Sequence, residues 1–151
     1  AVGNVVVMPK ESKRQEDLGT VEEFLISRSN LTDVQVAVAR SFTERKYLVS
    51  KEGRATKYRI REGSRAVSKG TFFRILGQAK GNVRRALYTI LLLSFYEMID
   101  ERAIDNLMRT GFLLKEATQR ESHIERDRLH EILESVEENM AIETNNAFGK
   151  Q

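Results

Sequence analysis

The sequence predicts a mainly α-helical protein with one pair of short β-strands near its middle. Three observations support this fold class. The only proline, Pro9, lies near the start, so no later proline interrupts a helix. Apolar residues recur at three- and four-residue spacing over long stretches, which is the period of an amphipathic helix. Residues 46–61 are rich in β-branched and aromatic side chains, which favour strands.

Length and composition exclude several protein classes. The chain has 151 residues and no cysteine, so disulfide frameworks, thiolate zinc sites and cysteine nucleophiles are excluded. Its longest apolar run, 86–99, contains Glu97 and is shorter than a bilayer span. The valines at 5–7 are too few for a secretory leader. We therefore expect one domain, or a small domain with a helical extension, in the cytoplasm and without a membrane partner.

The first elements are expected to be a flexible arm and two short helices. Residues 1–18 are mostly polar and charged, which is typical of a mobile terminus. Thr20 stands three residues before a glutamate, which is the spacing of a capping box, so the first helix is expected to begin there. The second helix is expected to be capped by Asn30 or Thr32 and to end near residue 45.

A pair of strands is expected between residues 46 and 61. The sequence KYLVSKEGRATKYRIR has a central Lys-Glu-Gly between β-branched and aromatic residues, which favours two strands joined by a turn. A short helix over 55–65 is the alternative. The apolar complement of the strands would be Tyr47, Val49, Tyr58 and Ile60.

The clearest helical period begins at Val67. Ser68 is suited to cap this helix, because its hydroxyl can accept a hydrogen bond from an orphan amide of the first turn. A further helix is expected over 103–114, where Gly111 is a candidate interruption. We expect residues 19–115 to form one domain around the long helix. The apolar residues that define its period are Phe72, Ile75, Leu76, Ala79, Val83, Ala86, Leu87 and Ile90.

The carboxyl-terminal part is expected to be an acidic amphipathic helix over 116–144, followed by a frayed tail over 145–151. The helix holds nine acids against three arginines. One face carries a stripe of two imidazoles and two carboxylates, at His123, Asp127, His130 and Glu134. Such a stripe can bind a transition metal, but the interleaved arginines favour a solvent-exposed, salt-bridged helix. With no nucleophile and base set and no glycine-rich phosphate loop, we predict no enzymatic activity, no metal and no cofactor.

The charge distribution is the most informative feature. Residues 40–85 hold fourteen lysines and arginines against three glutamates, a net charge of +11, whereas the whole chain carries +3. Charge of one sign repels itself in the free protein, and a polyanion is the commonest partner that relieves this repulsion. Nucleic acid is therefore the first partner to consider, and RNA is less favoured because the aromatic residues are too scattered for a stacking platform. The alternative is a solvated face whose charges are paired within the protein.

The helix that follows Ser68 supplies candidate DNA contacts. If Phe72 and Leu76 face the core, the opposite side shows glycines and long hydrogen-bond donors, which a helix reading the major groove requires. The candidates for base readout are Lys69, Thr71, Arg74 and Gln78. The candidates for phosphate contact are Arg54, Lys57, Arg59, Arg65, Ser68, Lys80, Arg84 and Arg85. The helix glycines indicate close approach of a phosphate or, as the alternative at Gly77 and Gly81, of another helix.

Two segments resemble a known family. LTDVQ at 31–35 and VSKGTFFRILGQAKGNVRRAL at 67–87 are similar to the helix-turn-helix of bacterial sigma-factor region four and of LuxR-type regulators. The resemblance implies a helix-turn-helix fold followed by long helices. Where that family has a compact scanning helix, this chain has a longer, strand-like segment that looks like the wing of winged-helix regulators, and the long apolar helix resembles small archaeal helix-turn-helix regulators. The matching recognition positions are Ser68, Lys69, Thr71 and Arg74, and Arg84 and Arg85 fall on the trailing basic turn.

The apolar residues outnumber what one small domain needs, which indicates a homodimer or a protein partner. The interface candidates are Tyr88, Leu92, Phe95, Leu129, Leu133 and Val136. The sequence therefore predicts a sequence-specific double-stranded DNA-binding protein, acting as a transcriptional regulator at the nucleoid. The alternative is a helical adaptor whose acidic carboxyl-terminal helix binds a protein such as RNA polymerase.

Overall fold

A computed structural model of the chain describes residues 10–52, 55–61, 64–119 and 126–149, and it is mainly helical, as predicted. Its elements in chain order are α1 (Lys10–Arg28), α2 (Asp33–Thr43), β1 (Leu48–Glu52), β2 (Ala55–Tyr58), β3 (Val67–Ser68), α3 (Lys69–Phe95), α4 (Glu101–Gln119) and α5 (Arg126–Ala147). The chain divides into two compact units. One is Ile26–Leu91, and the other combines Ala1–Leu25 with Leu92–Gln151.

Helix α2 begins at a capping box centred on Thr32. The Gln35 amide donates to Thr32 Oγ1 at 3.2 Å, and the Thr32 amide donates to Gln35 Oε1 at 3.1 Å. This arrangement satisfies two backbone donors of the first turn and confirms one of the two predicted caps. The helix ends where Arg45 adopts the left-handed conformation (φ 56°) and Lys46 N donates to Ser41 O at 2.9 Å.

The three strands form an antiparallel sheet in the order β1, β2, β3. Strand β2 is central, with Tyr58 opposite Leu48 on one side and Val67 on the other. Two antiparallel strands thus occupy the segment for which the sequence predicted strands, and the helix considered over 55–65 is not formed by the residues described there. The sheet ends at Ser68, and α3 begins at the next residue.

The core of the unit Ile26–Leu91 joins the sheet to α2 and to the amino half of α3. Val38 of α2 and Phe72 of α3 are fully buried. Tyr58 stacks on Phe72 at a ring distance of 5.3 Å and on Tyr47 at 5.9 Å. Burial of each such side chain contributes roughly 1.5–3 kcal/mol. Because Leu76 and Ala79 are also buried, the inward face of the amino half of α3 is the one predicted. Val83, Leu87 and Ile90 of the same predicted period are exposed, so the prediction fails in the carboxyl half.

Ser68 caps α3 as predicted. The Thr71 amide donates to Ser68 Oγ at 3.2 Å, and the Ser68 hydroxyl donates to Thr71 Oγ1 at 3.0 Å. The helix then runs for 27 residues. It ends where Glu97 is left-handed (φ 56°) and Met98 N donates to Leu93 O at 2.9 Å.

The second unit has its own core, formed by one face each of α1, α4 and α5. Its buried apolar residues are Val21, Leu114, Leu129, Leu133 and Val136. Helix α4 is capped by Asp100, whose Oδ1 accepts from Ala103 N at 2.9 Å. It continues through Gly111 without a break. An exposed glycine therefore lowers the local helix propensity here without ending the helix.

The amino-terminal prediction is wrong in two respects. Helix α1 begins at Lys10, inside the predicted flexible arm over 1–18, and residues 1–9 lie outside the described part. Thr20 is not a cap, because it lies within α1 and its hydroxyl donates to Glu16 O at 3.0 Å. The physical reason is burial one turn apart at Asp17 and Val21, which holds the polar first half of α1 in helical form.

The carboxyl-terminal prediction is also corrected. Residues 116–119 belong to α4, and α5 extends from Arg126 to Ala147, past the predicted end at residue 144. The amphipathic character is as predicted, with the acids of α5 largely exposed and its apolar face buried. Residues 120–125, which include His123 of the predicted stripe, lie outside the described residues.

Candidate nucleic-acid interface

The candidate interface is the outward side of the amino half of α3. Lys69, Arg74 and Gln78 are exposed there, while Phe72 on the opposite side is fully buried. The division follows from the helical period, because residues buried at three- and four-residue spacing leave the intervening positions outside. Three of the four predicted base-reading side chains are thus accessible to a ligand.

Thr71, the fourth candidate, is half-buried and takes part in the cap. Its hydroxyl oxygen accepts from the Ser68 hydroxyl, and its amide donates to Ser68 Oγ. Ser68 therefore already uses its hydroxyl proton within the protein. A phosphate at this helix start would meet backbone amides and the Lys69 side chain before it met the Ser68 hydroxyl.

Part of the basic segment is neutralised by the protein itself. Glu44 pairs with Arg40 and with Lys46, both at 3.4 Å, and Arg61 forms an ion pair with Asp33. The hydrogen bond from Lys46 and its positive charge, aided by Arg40, lower the pKa of Glu44 below its ordinary value. The alternative of charges that are paired within the protein therefore holds for Arg40, Lys46 and Arg61.

The cations on and beside α3 differ from those three. Arg65, Lys69, Arg74, Arg84 and Arg85 are exposed, and none forms an ion pair with a residue in the part of the chain that the structure describes. An exposed, unpaired guanidinium can neutralise a phosphate and so release the cations condensed on a nucleic acid. These five side chains are therefore predicted DNA contacts that remain exposed and form no ion pair with a described residue.

The remaining phosphate candidates have mixed environments. Lys80 Nζ lies 5.5 Å from the centre of the Phe42 ring, a cation–π contact on the exposed side. Arg59 is half-buried, and its Nε has no hydrogen-bond partner among the described residues. Lys57 lies in β2, but its side chain is outside the described part, as is the whole of Arg54. Arg59 is thus partly withdrawn from solvent without an ion pair to any described residue.

The helix glycines face open space. A Cβ built at Gly70, Gly77 or Gly81 meets no heavy atom within 4 Å. No other helix of the described chain packs closely there, so the helix-packing alternative at Gly77 and Gly81 does not hold within the described chain. Glycine costs roughly 1 kcal/mol against alanine in a helix, and nothing within the described chain compensates for that cost. A bare backbone on an exposed face instead allows close approach of another molecule.

A seven-residue period on the outer face of α3 was not recognised from the sequence. Residues spaced alternately four and three positions apart form one stripe along the helix. Its amino-terminal members are glycines and arginines, and its carboxyl-terminal members are apolar. The stripe is Gly70, Arg74, Gly77, Gly81, Arg84, Tyr88, Leu91 and Phe95. Seven of these residues are exposed and Gly81 is half-buried. The sequence contains the signal, but the overlapping core period of Phe72, Leu76 and Ala79 obscures it.

The interface candidates separate into two groups. Tyr88, Leu92 and Phe95 are 64, 54 and 76% exposed, so they are available to a partner. Leu129, Leu133 and Val136 are buried in the core that α5 shares with α1 and α4, so their prediction as interface residues is corrected. The apolar face of α5 indicated that another element packs against it. The sequence did not show that the packing elements belong to the same chain.

One open groove of about 500 Å³ lies between α4 and α5. Its lining is mostly apolar, and Thr110, Arg128, Glu131 and Ser135 are the polar lining residues. Within the described residues no group of three or more histidine, cysteine or carboxylate side chains has the arrangement of a metal site. The groove therefore offers hydrophobic contact and one residue of each charge.

Comparison with known proteins yields no relative. No protein-family model, no curated protein and no solved structure matches this chain. No helix among the described residues is long and apolar enough to cross a bilayer.

Proposed function

We propose that this protein binds double-stranded DNA sequence-specifically and acts as a transcriptional regulator. The observation that carries the proposal is the outward side of α3, where Lys69, Arg74 and Gln78 are exposed beside a bare glycine backbone. A helix lying in the major groove needs these features, namely donors that reach base edges and little bulk between them.

Affinity and specificity come from different side chains in this proposal. Arg65, Lys80, Arg84 and Arg85 supply phosphate contacts, and Arg74 with Gln78 supplies hydrogen bonds to guanine or adenine edges. Lys69 and the capped helix start lie where a phosphate or a base edge is reached first. Thr71 contributes apolar contact through its methyl group, because its hydroxyl serves the cap.

The β1 and β2 strands act as a wing in this proposal. Arg54 stands in the sequence between the two strands, and Lys57 and Arg59 follow it. A wing of this kind lies along the phosphates or in the minor groove, where positive charge is favoured. The sheet ends at Ser68, directly before the first residue of α3, so contacts by the two elements would be made together.

A salt titration tests the proposal directly. Binding to a selected duplex and to a random duplex would be measured by mobility shift over roughly 50–200 mM salt. Six to ten phosphate contacts predict a fall in affinity of about 10³–10⁵ over that range, and the selected duplex should remain about 10³-fold or more preferred. A shallow salt dependence, or equal binding to both duplexes, would contradict a sequence-specific DNA-binding role.

The protein is proposed to act as a homodimer in the cytoplasm, at the nucleoid, with neither catalytic activity nor a cofactor. Two copies on a palindromic site would double the phosphate contacts and the number of bases read. The exposed residues Tyr88, Leu92 and Phe95 are available for such pairing.

The alternative proposal is an adaptor that binds a protein such as RNA polymerase through the acidic surface of α5. Exposed carboxylates at Glu131, Glu134 and Glu138 favour it. Removing α5 is not a clean test, because its apolar face forms part of a core. Glu134→Gln with Glu138→Gln leaves that core intact, so loss of partner recruitment with unchanged DNA affinity would support the adaptor, and unchanged recruitment would oppose it.

A further inference from the structure

The carboxyl half of α3 presents a broad, uncharged apolar face. Leu87, Tyr88 and Leu91 are 60, 64 and 61% exposed. Leu92 and Phe95 continue the exposed surface along the same helix. From residue 86 to residue 96 the sequence holds no charged side chain. Single exposed apolar residues are common on monomers, but a contiguous set of this kind marks an interaction surface.

The size of this face matches one half of a dimer interface. Tyr88 and Phe95 are each more than half exposed, and together they offer on the order of 300 Å². The exposed leucines of the same helix raise the total to roughly 600–800 Å², compared with about 800 Å² per partner in a standard interface. The largest apolar patch of a typical monomer is about 300–600 Å².

A second copy of this chain is the occupant that fits this face. Because the face carries no charge, it has no sign that selects an acidic or a basic partner, and it is complementary to itself about a two-fold axis. We infer that the protein forms a two-fold homodimer in which Leu87, Tyr88 and Leu91 pack against the same residues of the second copy. Leu92 and Phe95 extend this contact.

The dimer has a consequence for DNA that rests on the proposed function. Arg74 and Leu91 lie 17 positions apart on one unbroken helix, which is about 25 Å at 1.5 Å per residue. Two antiparallel copies that cross near Leu87–Leu91 would place their Arg74 residues roughly 35–45 Å apart, depending on the crossing angle. One turn of DNA is about 34–36 Å. Because a helix rather than a loop sets this distance, the spacing of the two half-sites is fixed.

The oligomeric state tests the interface without DNA. Sedimentation equilibrium of the full chain should show a dimer at micromolar concentration. Leu91→Glu places two like charges at the axis, so its dimer dissociation constant should rise at least about 100-fold. Ile142→Glu is the matched control, since Ile142 on α5 is similarly exposed at 54% and should leave the dimer intact. A monomeric wild type at about 100 μM, or an undiminished dimer for Leu91→Glu, would overturn the inference.

A mixture of two oppositely charged variants distinguishes a lost dimer contact from a failure to fold. Leu91→Lys should also be monomeric, and an equal mixture of Leu91→Glu with Leu91→Lys should recover the dimer, because opposite charges then meet at the two-fold axis. Circular dichroism should show wild-type helicity for each variant alone. Folded variants that do not recover a dimer on mixing would place Leu91 away from the contact and overturn the proposed packing.

DNA binding then separates this inference from the proposed function. On duplexes with one or two half-sites at varied separation, wild type should prefer one spacing, and Leu91→Glu should keep half-site affinity but lose the cooperative gain of about tenfold or more. A dimer without sequence preference would overturn the DNA-binding proposal alone. Sequence-specific binding by a monomer of the wild-type chain would overturn the dimer alone.

Discussion

At the scale of single residues, the arginines of the basic segment differ in what the folded chain already does with them. Arg61 is paired with Asp33, whereas Arg74 and Arg84 are exposed on α3 without an ion pair to any described residue. A neutralised guanidinium has little left to gain from a phosphate, because its partner must be displaced first. Whether an arginine of the basic segment is available to DNA therefore depends on its local partner and not on its position in the segment.

Arg74→Ala should reduce binding mainly to the preferred duplex. Arg74 is in the stripe beside Gly70 and Gly77, where a guanidinium can donate two hydrogen bonds to guanine. The expected loss is about 1–3 kcal/mol on the preferred site and much less on random DNA. Fluorescence anisotropy with both duplexes measures it. An equal loss on every sequence would reassign Arg74 to the phosphates.

Arg84→Ala serves as the matched comparison on the same helix. As a phosphate contact it should weaken binding almost uniformly across sequences, and the slope of log affinity against log salt should become shallower by about 1. The measurement is the same salt titration with two duplexes. A change in base preference with an unaltered slope would show that Arg84 reads bases instead.

Gly77→Ala should stabilise the protein and weaken DNA binding. Alanine gains roughly 1 kcal/mol of helix propensity, and the added methyl group meets no atom within 4 Å. Gly111→Ala in α4 has the same open surroundings and should give a similar rise in stability with no effect on DNA. Urea unfolding and anisotropy measure both. A Gly77→Ala protein that binds DNA as well as wild type would exclude close backbone approach at this position.

At the scale of elements, helices α2 and α3 end with the same backbone motif. α2 and α3 both end with a non-glycine residue in the left-handed conformation, Arg45 and Glu97, followed by an amide that donates back to the last turn. The motif satisfies the terminal carbonyls, but a side chain with a Cβ pays about 1 kcal/mol or more for that conformation. A glycine at either position is therefore expected to stabilise the protein.

Arg45→Gly should raise the free energy of unfolding by about 1 kcal/mol, because glycine adopts a φ of 56° without steric cost. Arg45→Ala is the control, since alanine keeps the Cβ and should change stability little. Urea denaturation at low ionic strength measures both variants. If the two variants have equal stability, the left-handed conformation at this helix end carries no appreciable strain.

Elements whose signals are local could be predicted, and elements that depend on distant partners could not. The caps at Thr32 and Ser68 and the inward face at Phe72 were predicted because a hydrogen bond or a period of a few residues determines them. The first half of α1 was missed because it is polar, and the burial that anchors the helix is at Val21, which packs with residues of α4 and α5 about a hundred residues away in sequence. The same distance explains why Leu133 was assigned to an interface rather than to a core.

At the scale of the whole molecule, the two compact units carry different chemistry. The three strands and the α3 cations that form no ion pair with a described residue belong to Ile26–Leu91, whereas the acidic helix α5 belongs to the other unit. The net charge of +3 thus conceals a strongly basic part and an acidic remainder. Association with DNA is expected to follow the local field of the basic unit rather than the net charge.

Leu133→Ala tests this division of roles. Leu133 is 4% exposed in the core of the second unit, so removing its side chain should cost about 2–5 kcal/mol of stability and lower the urea midpoint. The salt slope and the base preference of the folded protein should not change, because no candidate DNA contact belongs to that unit. Ile142→Ala on the same helix is exposed and should affect neither quantity appreciably. A shallower salt slope for folded Leu133→Ala would show that the second unit also contributes to DNA binding.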